Sequence, residues 1–196
     1  MKKSFFLMLC FVSISLLSQN KLGSSGRYKL GALHLKNGTV LTGEIKIIKH
    51  HRIVLKKEDE KKGFDHTLVK SIVFNDSTKY HYKKSDKVNL LLKKEVSGPV
   101  ELYSLASYFA GFSDGSMASM SMHYYLGKEG NDLIDKVPRN IEGRRFRKFI
   151  SKYASNCEKL LEKVQSKKSI RSNFDSNIIK IIHFFNTNCN NKTNNK

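Results

Sequence analysis

The chain reads as an α+β protein: a small SH3-like antiparallel β barrel, a second small β segment and a C-terminal three-helix region. Two observations predict that class and a third sets its surroundings. Apolar residues recur at the two-residue period of strands from Tyr28 to Tyr82, punctuated by turn residues, and from Asp132 onward the period lengthens to that of helices. The first twenty residues place Lys2 and Lys3 ahead of an apolar run from Phe5 to Leu17, with a small residue at Ser18, which is the layout of a secretory leader. At about 13 residues the run falls short of the ~20 that cross a bilayer, so it predicts export and cleavage of residues 1–18 rather than an anchor. Cys10 makes a poor lipidation site, because bulky Leu9 precedes it and little apolar chain lies upstream.

The barrel is expected over residues 28–84. Tyr28 to Leu35 is its first strand, and Lys36-Asn37-Gly38 the hairpin turn, since Asn-Gly supplies the positive φ angles of tight turns. Thr39 to Ile48 returns, with Gly43 at a bulge or bend that lets a small sheet curl. Arg52 to Lys57, a charged turn through Gly63, a strand from Phe64 to Phe74, a turn at Asn75-Asp76-Ser77 and a strand from Thr78 to Lys83 complete five strands at near-regular spacing. The second segment, 85–127, holds a hairpin of Val88 to Lys93 with Pro99 to Ser107, a Gly/Ser-rich loop from Ala110 to Ser121 and a strand from Met122 to Leu126.

Residues 128–189 are expected to be helical. Arg145 to Ser155 gathers Phe146, Phe149, Ile150 and Tyr153 on one face; Glu158 to Ser166 gathers Leu160, Leu161 and Val164; Asp175 to Asn186 gathers Ile178, Ile179, Ile182 and Phe185, with Asn173 or Asp175 as its cap. The Asn-rich residues 190–196 read as a frayed tail.

Once the leader is gone, two thiols remain, Cys157 and Cys189, and in an oxidising compartment they are expected to pair. The cysteines lack CxxC spacing and the sequence contains no HExxH, so neither a structural zinc nor a redox pair is indicated, and no cofactor is expected. His50, His51, His66 and His81 lie on nearby turns and strands, but adjacent histidines on a strand face opposite ways, so no metal site is assigned. Gly111-Phe112-Ser113-Asp114-Gly115 fits the G-x-S-x-G pattern of hydrolases without the strand-to-helix elbow that makes such a serine reactive, and no catalytic residue is assigned.

The formal charge of +19, carried mostly by lysine, attracts polyanions. An exported protein meets lipid head groups, anionic wall polymers and polysaccharides rather than nucleic acid. The sharpest binding candidate is Arg144, Arg145, Arg147, Lys148 and Lys152, because a helix with Phe146, Phe149 and Ile150 inward turns these cations outward together. The reading is therefore a non-catalytic binding or structural module of the periplasm, cell surface or extracellular space. A polyanion or membrane-surface binder is the alternative, and a serine hydrolase ranks last.

Several motifs resemble those of an uncharacterised group of exported proteins from Bacteroidetes-type bacteria. They are Leu35-Lys36-Asn37-Gly38 with Gly43 after it, Gly98-x-Val100-x-Leu102-Tyr103, Tyr124-Tyr125-Leu126-Gly127-Lys128, Phe149-Ile150-Ser151-x-Tyr153 running into Cys157, and Phe184-Phe185-Asn186 before Cys189. The resemblance implies a small envelope protein with a β front and a disulfide-tied helical back, and it carries no functional residues.

Overall fold

The computed structural model describes residues 27–49, 52–109, 119–139, 144–155, 157–165 and 174–189. The leader at 1–18 with Cys10, the pair His50-His51, the Ser113 motif, the cap at Asn173 and the tail at 190–196 lie outside the described residues. Ten strands and three helices are present among the described residues, which is an α+β chain dominated by antiparallel sheet. The strands are β1 (Lys29–Leu35), β2 (Val40–Lys49), β3 (Arg52–Lys57), β4 (Glu60–Phe64), β5 (Val69–Phe74), β6 (Lys79–Ser85), β7 (Val88–Val96), β8 (Val100–Phe109), β9 (Ser119–Lys128) and β10 (Ile134–Lys136). The helices are α1 (Arg144–Tyr153), α2 (Glu158–Gln165) and α3 (Phe174–Asn188).

All ten strands join one sheet in the order β10-β9-β8-β7-β6-β5-β1-β2-β3-β4. That open order does not mark off a closed five-stranded barrel at 28–84 with a separate sheet behind it. The expected strand from Phe64 to Phe74 is two strands. Asp65 breaks it, accepting from the Thr67 backbone N–H at 2.9 Å and the Thr67 hydroxyl at 2.5 Å, a local turn that competes with the ladder. The expected charged turn before Gly63 is instead an edge strand, Glu60 to Phe64, whose register sets Leu55 opposite Lys62 and Ile53 opposite Phe64. Its lysines guard the edge against further pairing.

The sheet curls twice. Between β4 and β5 in sheet order lie three strands, four steps that would span about 19 Å if flat. Only Asp65 to Leu68 connect them, so the sheet must roll up. Leu33, Ile45, Ile53, Leu55, Phe64, Val69, Ile72, Phe74, Tyr82 and Leu91 fill the inside of that roll. Gly43 contributes by close approach rather than by a bulge: it sits opposite Gly31, and a Cβ there would lie 2.7 Å from the Lys56 carbonyl oxygen. The register shifts fall at His34/Leu35 and Ile47/Lys49 instead.

Along β6 the sheet changes side. Tyr82 belongs to the first core, whereas the neighbouring Lys83 faces the other way, with Leu92, Tyr103, Tyr125 and Ile134. Among the described residues no helix contributes to that second face. It is enclosed because the chain after β9 folds back onto β6: the Lys84 N–H donates to the Asp132 carbonyl at 2.8 Å, and Lys84 bridges Leu133 in parallel register. The helices cover the opposite face, burying Leu102, Tyr124 and Leu126 beneath Phe146, Ile150, Leu160, Ile178, Ile182 and Phe185. Cys157 and Cys189 are disulfide-bonded with Cα atoms 5.4 Å apart, tying the start of α2 to the end of α3.

Candidate functional site

Helix α1 is laid out as its sequence requires. Phe146 and Ile150 are buried and Phe149 and Tyr153 pack at the margin of the core, which turns Arg144, Arg145 and Lys148 into solvent and leaves Arg147 half-buried. No acidic side chain pairs with these four among the described residues. The first turn holds no acid at all and two arginines instead. Cations there oppose the helix macrodipole, at a typical cost of 0.3 to 1 kcal/mol each. Helix stability alone would not choose them.

Lys152 is set apart from the other four. Its ammonium lies 2.7 Å from Asp135 Oδ2, and the Tyr153 hydroxyl donates to the same oxygen at 2.6 Å while standing 3.0 Å from the Leu126 carbonyl. Burial pushes the Asp135 carboxyl up, but the bonds from Lys152 and Tyr153 outweigh it and hold the group below its ordinary value. Burial and the same carboxylate push the Tyr153 phenol up. This constellation clamps α1 to β9 and β10, and the sequence reading missed Asp135 because a lone acid on a three-residue strand has no periodic signature.

A second polar cluster was not foreseen. Inside the second roll, Glu101 accepts from the Tyr103 hydroxyl at 2.6 Å, pairs with the Lys94 ammonium, and lies 3.7 Å from Lys83 Nζ. Lys83 in turn donates to the Asn131 carbonyl at 2.6 Å and sits 5.5 Å from the centre of the Tyr103 ring. Burial raises Glu101, yet the hydrogen bonds from Lys94 and Tyr103 and the charge of Lys83 bring it below its usual value. His81, edge-on to Tyr103, is pushed down to about 4, first by burial and then by Lys94 and Lys83. Every charged member is matched by another, so the cluster closes on itself and presents no free group to a ligand. Strand alternation was the available signal, since Lys94 and Lys83 fall on the same phase as Leu92 and His81.

His66 and His81, the described members of the histidine group, do not converge. His66 leans on Tyr82 in the first roll and His81 on Tyr103 across the sheet, and among the described residues no group of three or more His, Cys, Asp or Glu could hold a metal. Two cavities of about 340 and 410 Å³ occupy the N-terminal half, one between Ile48, Arg52, Phe64 and Leu68, the other over Leu30, Gly31, Gly43 and Phe74. Neither touches α1. Comparison with protein-family models, curated proteins and solved structures returns no match.

Proposed function

We propose that this chain is a non-catalytic binding module of the cell envelope and that the outer face of α1 is its binding surface for polyanions. One observation carries the reading: Arg144, Arg145, Arg147 and Lys148 share a short helix whose other face is fixed in the core, and no acid among the described residues neutralises them. Leader-directed export and kinship to the exported Bacteroidetes-type proteins belong to the same proposal, as does an SH3-like character for the first roll. Helix-sized anchoring is not part of it, since no described helix is long and apolar enough to cross a membrane.

Retention on an immobilised polyanion tests the reading. The wild-type chain is expected to elute at a salt concentration that the variant Arg144→Glu/Arg145→Glu/Lys148→Glu fails to reach, with a shallower dependence on salt because fewer counterions are released. Equal elution of the two proteins would remove α1 as the surface.

A further inference from the structure

Beyond α1, the β8–β9 hairpin projects as a two-stranded ribbon. The register of β8 with β7 is recorded from Leu102 to Ser104, whereas β8 and β9 pair with one another from Val100–Lys128 out to Phe109–Ser119. Past Ser104 the ribbon therefore stands beyond its neighbour's ladder. Its composition is at odds with the molecule: from Leu102 to Met122 the sequence holds a single charged residue, Asp114, in a chain of formal charge +19.

The segment that leads from β10 toward the basic helix lies alongside the ribbon. After β10 the chain runs back along β9, with the Val137 N–H donating to the Tyr124 carbonyl at 2.8 Å and an Arg139 guanidinium nitrogen 3.4 Å from the Met122 carbonyl. Helix α1 then returns toward the other end, where Tyr153 reaches Leu126. Its nine steps from Arg144 to Tyr153 cover about 13–14 Å, which matches the roughly 14 Å from Met122 to Leu126 along the strand. A helix of that length can carry Arg144 and Arg145 back toward the Met122 end of β9. Met122, on the helix-facing side of β9, is packed against the helical core, while Met120, two residues on and on the same face, is 60% exposed. Met120 stands exposed past the last β9 position packed on the helices, and Arg139, Arg144 and Arg145 are exposed as well.

We infer that this end of the molecule docks on an anionic lipid surface, the basic residues meeting head groups and Met120 entering the interface between them. The inference rests on the polyanion reading of α1 and narrows it to one partner. A pliant apolar side chain together with exposed cations suits a bilayer, where head-group charge and acyl boundary are met together. A soluble polyanion would use the cations and leave Met120 idle.

Co-sedimentation with phosphatidylcholine vesicles, with and without phosphatidylglycerol, and a parallel titration with soluble polyphosphate, separate the possibilities. Wild-type protein is expected to bind only the phosphatidylglycerol vesicles. Met120→Ser should weaken that binding about fivefold and leave polyphosphate binding unchanged, while Arg144→Glu/Arg145→Glu should weaken both by on the order of tenfold or more. Met120 is exposed, so its variant should fold, and a circular-dichroism melt confirms that. Vesicle binding untouched by Met120→Ser, or polyphosphate binding without vesicle binding, would overturn the lipid inference and leave the α1 reading standing. Binding to neither would remove both.

Discussion

Glu101 shows what one side chain can hold together. Among the described residues it is the one carboxylate paired with both Lys83 and Lys94, all three are largely out of water, and removing it strands Lys94 and leaves Lys83 only the exposed Asp132 carboxylate at 4.0 Å. Glu101→Gln is expected to cost about 3–5 kcal/mol, the range for breaking a buried pair from one side, read as a shift in the urea midpoint. The pH dependence has a defined sign. Glu101 ionises below its ordinary value when folded, so its contribution is present above that value and fades as pH falls through the folded one. His81 acts in the same direction over a higher window: the unfolded chain takes up a proton near 6.5 and the folded one only near about 4, so stability falls as pH drops between these limits. In His81→Asn the slope of stability against pH over that window should flatten, and an unchanged slope would show that His81 is not held neutral in the fold. The enclosure itself was not visible in the sequence, where Lys83 and Lys94 share only the phase of His81 and Leu92. Alternation gives the phase of a strand but not which of its faces is enclosed.

At the scale of elements, the helices were legible and their attachment was not. The positions of Phe146, Ile150, Leu160, Val164, Ile178, Ile182 and Phe185 follow from spacing alone, and all are buried. What joins α3 to the start of β8 is Asn186, whose side chain accepts from the Val100 N–H at 3.1 Å and donates to the Val100 carbonyl at 2.8 Å, with the Ser97 carbonyl at 3.3 Å. Gly98 makes room for it: φ is +140° there, and a Cβ would stand 2.5 Å from Asn186 Nδ2. Asn186 and Gly98-x-Val100 stand out in the sequence as separate motifs, but that they meet is revealed only by the fold. Asn186→Ala leaves both backbone groups of Val100 without this partner and should cost about 1–3 kcal/mol, measured by thermal melt against the neighbouring exposed control Thr187→Ala. The Cys157–Cys189 bridge closes a 32-residue separation and should add about 3–4 kcal/mol in the chain-entropy model. Cys157→Ser/Cys189→Ser is expected to melt lower than the oxidised wild type and to be insensitive to reductant.

For the molecule as a whole, strand positions were legible but their order was not. Regular spacing located nearly all the strands, yet the same spacing suits a closed barrel and a longer sheet, because the register between distant strands is written in no local motif. Short Ile134–Lys136 escaped for the same reason: only its pairing with β9 makes it a strand. The side-switch at β6 has a practical outcome. Leu91, contributed by β7, completes the first core, and Tyr82 and Lys83 serve opposite interiors from adjacent positions. No cut between residues 83 and 91 leaves either interior whole. A polypeptide ending at Ser85 should give a poorly dispersed NMR spectrum and be digested rapidly by protease, and a well-dispersed one would contradict this. Any insertion, fusion or tag meant to preserve the molecule belongs elsewhere, for its midpoint is the one stretch both halves own in common.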